Sequence, residues 1–263
     1  MFTLNHFIWM GICAVLCIGF MIFLQKTKPG LEKVLSVCCG VGVISELIKT
    51  FSMMQMVPSA DGTRMYLYIE MSHMPLHLCS LQIITIFYAR FARESKFKTA
   101  LLAFMYPSCV LGAFFALLLP SIFSTSISID QAFIHPLAYQ FFLYHSMLIV
   151  LGLYILTSGK VDIQPRHYGT SLLFLAVLAF VSIYLNSMFA VPVYNSQDLA
   201  SVEYSPNFFF TYRTPIGIKL TEMWHWYVYL AIIAALAVVL VALFYIPVFV
   251  RAKKEKKTIG FAA

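Results

Sequence analysis

The chain has 263 residues, of which 61% are apolar and only 11% are charged, and its mean hydropathy is +0.84. This composition excludes an ordinary water-soluble domain and indicates that much of the chain lies in a lipid bilayer. A net charge of +7 can indicate nucleic-acid binding, but here the basic residues lie in gaps between apolar segments, so no nucleic-acid partner is expected.

Seven apolar segments are long enough to cross the hydrocarbon core of a bilayer, which takes about 20 residues. They are residues 7–25, 31–51, 73–92, 98–120, 136–158, 168–191 and 222–250. The sequence therefore predicts an all-α, polytopic membrane protein, a seven-transmembrane-helix bundle with a multi-pass location in the cell membrane. We expect one transmembrane domain over residues 1–250 and a basic cytoplasmic tail over residues 251–263.

The distribution of basic residues predicts the orientation. Most of the 18 Lys and Arg residues lie in alternate gaps and in the tail, whereas the other gaps contain only Arg64, Arg213 and Lys219. The positive-inside rule then places the N-terminus outside and the C-terminus in the cytoplasm. In this orientation the basic residues of the tail lie next to an anionic leaflet.

Two opposite charges lie near the outer end of the second segment. Glu46 and Lys49 are three residues apart, so they are neighbours on a helix. One interpretation is a mutually neutralising pair that reaches the membrane interface. The alternative is that Glu46 faces the interior of the bundle and orients a histidine, which makes it a candidate substrate-binding residue.

The third segment opens with Glu70, His73, His77 and Cys79. If the helix begins early, the first three share one face, and paired histidines with a carboxylate can bind zinc. Because no H-E-x-x-H signature is present, we expect no metal and no other cofactor. Cys79 points about 200° away from His77 on a helix, so a catalytic pair needs a partner from another helix. All six cysteines lie inside predicted spans, so no disulfide framework is expected.

The fifth segment contains His135, Gln140 and His145. His135 lies at the outer mouth, and His145 lies about 15 Å deeper along a helix, near the middle of the membrane. A histidine at that depth needs a hydrogen-bonding partner or a wet cavity. It is either a neutral residue that joins helices or a general base or proton shuttle. His73, His135 and Gln140 are further candidate substrate-binding residues.

The last two external features also have two interpretations each. Residues 192–220 form either a lid over an external cavity or a cap on helix ends. His225 lies between Trp224 and Trp226 and is either an interfacial belt residue or a substrate-binding residue at the cavity mouth.

The seventh segment has no interior lysine for a retinal Schiff base, and the chain has no glycine-rich phosphate loop, so neither a rhodopsin nor an ATP-driven transporter is expected.

Three stretches carry a family resemblance. They are Met74-Pro-Leu-His-Leu-Cys-Ser-Leu81, His135-Pro-Leu-Ala-Tyr-Gln-Phe-Phe-Leu-Tyr-His145 and Trp224-His-Trp-Tyr227. With the number and order of the spans, they resemble the bacterial YwaF-like integral membrane proteins. Those proteins are similar to the eukaryotic transmembrane protein 164 family, whose members act as acyltransferases on ether phospholipids. They also look like distant relatives of the androgen-induced membrane hydrolases, which cleave lipid esters with a threonine and a histidine.

The resemblance implies a membrane-embedded acyltransferase or lipid-ester hydrolase that uses a Cys/His pair. Cys79 is then the nucleophile, His145 the general base and His77 a candidate oxyanion donor. The eukaryotic motif has cysteine before histidine, whereas here His77 precedes Cys79. The alternative is a transporter or permease-like protein with a histidine-lined external cavity, and a third possibility is a structural partner without chemistry. Membrane lipids are the expected partners, and the sequence leaves the oligomeric state open.

Overall fold

The computed structural model describes residues 3–59, 61–120, 122–196 and 198–261, and most of this backbone is helical. Seven helices of more than ten residues occur in these ranges. They are α1 (Leu4–Thr27), α2 (Leu31–Met53), α3 (Leu78–Phe91), α4 (Lys96–Leu118), α5 (Pro136–Thr157), α6 (His167–Met188) and α7 (Met223–Phe261). The predicted predominance of helix is confirmed.

Six of these seven helices are long and apolar enough to cross a membrane, and the described ranges contain no further helix that meets both conditions. The exception is α3, which has 14 residues. At 1.5 Å per residue it is about 21 Å long, whereas the hydrocarbon core is about 30 Å thick. The third predicted segment is thus helical, but over a shorter range than residues 73–92.

The third helix begins at Leu78, later than predicted, after a segment in which Met74 and His77 are extended. Met74, which precedes Pro75, has φ −58° and ψ 146°. Proline disfavours the helical conformation in the residue before it and favours this extended one. Glu70, His73 and His77 therefore do not share one helix face, because no continuous helix joins them.

The chain divides into two compact units, residues 1–163 and 164–263. The first unit contains α1 to α5, and the second contains α6 and α7. Helix α7 continues from its apolar part into the basic residues that follow position 250, as far as Phe261. The predicted division into a transmembrane domain over residues 1–250 and a tail over residues 251–263 stays a prediction.

In the first unit, α5 packs against α1, α2 and α4. Its approach to α4 is closest at Gly152, where a Cβ would lie 2.7 Å from both the Tyr106 carbonyl oxygen and Val110 Cγ2. Only a hydrogen atom fits there, as in other tightly packed membrane helices. On the α1 side, the Trp9 ring stacks on the Phe142 ring with 4.6 Å between centroids. Helix α5, which carries the predicted site residues Gln140 and His145, is thus fixed from two sides.

Two antiparallel hairpins were not predicted from the sequence. The first pairs β1 (Gln55–Pro58) with β2 (Met65–Tyr68), and the second pairs β3 (Val191–Asn195) with β4 (Asp198–Tyr204). In the turn of the first hairpin, the Asp61 carboxylate accepts hydrogen bonds from the hydroxyl groups of Ser59 and Thr63. These bonds stabilise the charged carboxylate and lower the pKa of Asp61 to about 2.

In the second unit, a buried asparagine at the end of α6 fixes the loop before α7. Asn186 Nδ2 donates to the Phe208 carbonyl oxygen at 3.1 Å and to the Thr211 hydroxyl at 3.0 Å, and its Oδ1 accepts from the Phe208 amide at 2.8 Å. The Trp226 indole in α7 donates to the Thr211 carbonyl oxygen at 2.9 Å. Residues 208–211 therefore form a cap on helix ends, which is one of the two predicted arrangements for this loop.

Candidate active site

The predicted nucleophile, Cys79, lies in the first turn of α3, where this helix meets α4. Its side chain is half-buried. The sulfur lies beside Gly112 of α4, where an added Cβ would be 3.4 Å from Cys79 Sγ. The sulfur is therefore within van der Waals reach of α4. Amide groups in the first turn of a helix have no intrahelical acceptor and can stabilise an anion.

The predicted general base, His145, lies in the middle of α5 and is 7% exposed. Its Nδ1 is 2.6 Å from the carbonyl oxygen of Phe141, one turn earlier in the same helix. Because a carbonyl oxygen only accepts hydrogen bonds, Nδ1 carries the proton and Nε2 of the neutral ring is an acceptor. In this tautomer the ring can take up a proton at Nε2, as a general base must.

Tyr144 connects the helices that carry Cys79 and His145. Its hydroxyl donates to the Cys79 carbonyl oxygen at 2.8 Å, and its ring meets the His145 ring edge-on with 5.6 Å between centroids. One hydrogen bond thus links the first turn of α3 to the residue that precedes His145 in α5. Within the described chain no hydrogen bond joins Cys79 Sγ to the His145 ring. Sequence reasoning missed Tyr144 because its partner lies 65 positions away, beyond any local pattern.

The residues before α3 make local contacts. His77 Nε2 donates to the Ser72 carbonyl oxygen at 3.1 Å, and the Ser72 hydroxyl donates to the Glu70 carboxylate at 2.8 Å. His73 lies outside the long helices, in the short 3-10 turn Met71–His73. Among the residues that the structure describes, no three His, Cys, Asp or Glu side chains are placed to hold a metal ion, so the zinc alternative has no ligand set there.

Glu46 and Gln140 lie on α2 and α5, which pack together. The Glu46 carboxylate forms an ion pair with Lys49 Nζ at 2.8 Å, as the first interpretation of this pair predicted. Gln140 Nε2 donates to the hydroxyl of Ser45 on α2 at 2.6 Å. Both contacts stabilise the helices that frame the candidate site, and a role of either residue in substrate binding stays a prediction.

Two further predicted substrate-binding histidines lie at helix N-termini. In the first unit, His135 precedes α5, and its Nδ1 accepts from the Leu137 amide at 3.2 Å. In the second unit, His225 Nδ1 accepts from the Glu222 amide at 3.2 Å, and its ring lies 3.9 Å from the Trp224 ring. Each side chain satisfies an amide at the start of a helix, as capping residues do. Their predicted contact with substrate stays a prediction.

A buried polar network between α3 and α4 was also missed by sequence reasoning. Gln82, one turn after Cys79, is 1% exposed. Its Nε2 donates to the Ser108 hydroxyl at 3.0 Å, and its Oε1 accepts from the Thr85 hydroxyl at 2.9 Å and the Cys109 thiol at 3.3 Å. Side-chain hydrogen bonds of this kind join helices inside a membrane. The network thus fixes the position of α3, and with it Cys79, against α4.

An apolar groove of about 380 Å³ lies on α2 beside the start of α5. Its lining residues are Ile44, Leu47, Ile48, Phe51, Ser52 and Pro136. A wall of this composition suits an acyl chain better than a polar solute. Cys79, His77 and His145 are not part of this wall.

The six long apolar helices in the described ranges define a multi-pass membrane protein. A family model described as the TMEM164 family matches residues 1–246. The chain therefore belongs to the TMEM164 family. The narrower likeness to bacterial YwaF-like proteins is not part of that match and stays a prediction. No curated protein and no solved structure matches the chain.

Proposed function

We propose that the chain is a membrane-embedded acyltransferase or lipid-ester hydrolase in which Cys79 is the nucleophile and His145 the general base. The observation that carries this proposal is the Tyr144 hydrogen bond, which links the backbone of Cys79 to the residue that precedes His145 in α5. The tautomer of His145 supports the same role, because Nε2 is the ring nitrogen left to accept a proton. Membership of the TMEM164 family agrees with lipid chemistry.

The proposed reaction has two acyl-transfer steps. Cys79 Sγ attacks the ester carbonyl carbon while its proton moves to His145 Nε2, and the lipid alcohol then leaves with that proton. The resulting Cys79 thioester is resolved by water or by the hydroxyl of a second lipid. An apolar surrounding disfavours a charged sulfur, so the base has to remove the thiol proton as the attack proceeds. The first-turn amides of α3 are the proposed donors to the developing oxyanion, and His77 joins them if it leaves the Ser72 carbonyl oxygen.

In the proposed mechanism, substrate binding has to bring Cys79 Sγ and His145 Nε2 into hydrogen-bonding distance. Cys79 Sγ and His145 Nε2 are not hydrogen-bonded in the described chain, and catalytic hydrogen bonds are often formed only in the complex with substrate. The apolar groove on α2 is a surface against which an acyl chain can lie. We therefore propose a membrane phospholipid as the substrate and partner.

A transporter with a histidine-lined cavity receives less support. His77, His135, His145 and His225 each have a ring nitrogen bonded to the backbone of their own local segment. Histidine rings bonded in this way cap helices or stabilise turns. A solute could bind several of these rings only if their hydrogen bonds to the backbone were broken.

The proposal is tested with the full-length protein in liposomes that contain phospholipid labelled in its acyl chains. We expect Cys79→Ala and His145→Gln each to reduce acyl release and transfer by at least about 100-fold, because each removes one half of the nucleophile–base pair. A hydroxylamine-sensitive acyl adduct should form on Cys79 in the unaltered protein and be absent in Cys79→Ala.

The matched control is Cys17→Ala. Cys17 is also a half-buried thiol in a helix of the first unit, and it donates to the Ser146 carbonyl oxygen at 3.6 Å. Its removal should leave the activity unchanged. Full activity in either Cys79→Ala or His145→Gln, with the same thermal stability as the unaltered protein, would eliminate the proposed pair.

We also propose that α3 and its flanking residues complete a seventh crossing, with the N-terminus outside and the C-terminus in the cytoplasm. The basic residues support this orientation, since they cluster in alternate connections. The remaining residues of that crossing would come from the segment before Leu78, where the backbone is not a continuous helix. Non-helical backbone at membrane depth is tolerated where protein surrounds it.

A further inference from the structure

A second groove, in the second unit, has no role in the proposed acyl chemistry. It has a volume of about 510 Å³ and is lined by Gln164, Pro165, Arg166, Phe249, Ala252 and Lys253. Two cationic side chains therefore face a wall that also contains a phenyl ring and small apolar side chains. None of these lining residues is acidic, so the charge of the groove is positive.

The two walls of the groove are held together by contacts between α6 and α7. The Tyr168 ring lies 5.7 Å from the Tyr245 ring and 5.9 Å from the Phe249 ring. The hydroxyl groups of Ser171 and Tyr245 are hydrogen-bonded at 2.9 Å, and both side chains are buried. The spacing between the walls is thus fixed by packed side chains next to the groove.

The groove lies where two apolar spans end. Arg166 immediately precedes the span His167–Met188, and Lys253 lies in the last turn of the span Met223–Lys254. The ends of membrane-crossing helices lie near the lipid head groups. A ligand in this groove would therefore have its charged part at the membrane surface and its apolar part along the helices.

The cations of the groove are available to a ligand. Arg166 and Lys253 are exposed, and no ion pair within the described ranges involves either side chain. A guanidinium group binds phosphate oxygens through two parallel hydrogen bonds, and an ammonium group adds a point charge. Phe249 is 38% exposed, which leaves part of its ring open to a hydrocarbon chain.

We propose that this groove is a binding site for an anionic phospholipid. Arg166 and Lys253 hold the head-group phosphate, and Phe249 with Ala252 contacts the first part of an acyl chain. Basic pockets between membrane helices bind anionic head groups in this way. The site differs from a general attraction of the basic tail to the leaflet, because it requires two particular cations and an open groove.

The test uses full-length protein in detergent micelles, with retained lipid counted by native mass spectrometry as phosphatidylglycerol is added. We expect Arg166→Gln/Lys253→Gln to weaken phosphatidylglycerol binding about tenfold or more, since each basic residue near an anionic lipid contributes roughly a factor of five. The control Arg251→Gln/Lys254→Gln removes the same number of positive charges, both from the end of α7 that carries Lys253, but leaves the lining residues unchanged. It should retain most of the binding.

Two further variants separate the possible causes. Ala252→Phe keeps both cations but fills the groove, so it should also weaken binding; unchanged binding in this variant overturns the proposed location. Equal losses in the two charge variants would mean that only the summed charge attracts lipid, which also overturns the site. Displacement of the lipid by millimolar inorganic phosphate would identify a free-anion site instead. Cys79→Ala should bind phosphatidylglycerol like the unaltered protein, so failure of the acyl chemistry leaves this result readable.

Discussion

At the scale of single residues, the candidate site depends on a tyrosine that contacts both proposed catalytic residues, Cys79 and His145. Tyr144 donates to the backbone of Cys79 and packs against the His145 ring. It is a positioning residue, since its hydroxyl bonds to a carbonyl oxygen of the chain and not to a reacting atom. A hydrogen bond of this kind contributes about 1 kcal/mol to stability.

We predict that Tyr144→Phe lowers the rate at which a cysteine-directed acyl probe labels Cys79, whereas its thermal stability changes little. The variant keeps the ring but removes the only group that joins it to α3 in the contacts described above. Tyr139→Phe is the matched control, because the Tyr139 hydroxyl also donates to a carbonyl oxygen, that of Phe133, at 2.8 Å. Equal labelling rates in the two variants would contradict a positioning role.

Gly152 has the tightest environment found for a glycine in the described chain. We predict that Gly152→Ala lowers the stability of the protein by about 1–3 kcal/mol, because the added methyl group overlaps atoms of Tyr106 and Val110. The control is Gly40→Ala in α2, where nothing lies within 4 Å of an added Cβ. Alanine is the better helix former, so Gly40→Ala should be neutral or stabilising. Thermal unfolding in detergent measures both.

At the scale of elements, the third helix shows which features local sequence rules predict and which they do not. Its apolar content correctly predicts a helix, but Pro75 favours an extended Met74 and the start shifts to Leu78. That shift separates the residues that a longer helix would have placed on one face, and it puts Cys79 in a first turn. The same proline rule was available from the sequence, whereas the contact of Cys79 with Gly112 was not, because it depends on how α3 packs on α4.

The loop before α7 also depends on one distant contact. We predict that Asn186→Ala lowers stability by about 2 kcal/mol or more, because it leaves the buried Phe208 amide without its acceptor. Hydrogen exchange of the amides in residues 205–213 should become faster, while exchange in α6 changes less. Asn195→Ala, in the exposed strand β3, is the control. Unchanged exchange in Asn186→Ala would mean that Trp226 and the surrounding contacts suffice to hold the loop.

At the scale of the whole molecule, the proposed orientation requires α3 and its flanking residues to cross the membrane. We predict that Arg64→Cys is labelled by a membrane-impermeant maleimide on intact cells, whereas Arg93→Cys is labelled only after permeabilisation. Both positions are exposed, and they lie before and after α3. The native cysteines are buried or half-buried, so the unaltered chain gives the background. Labelling of both variants from outside would mean that α3 does not cross.

The sequence by itself determined that this is a multi-pass helical protein, because the length and polarity of each segment decide locally whether it can lie in hydrocarbon. It also pointed to His145, because an ionisable side chain is rare at that depth, whereas Cys79 was indicated by the family resemblance. Only the tertiary structure decided which groups lie beside them. Tyr144, Gly112 and the Gln82 network come together through contacts between helices, and no spacing along one helix encodes which faces will meet.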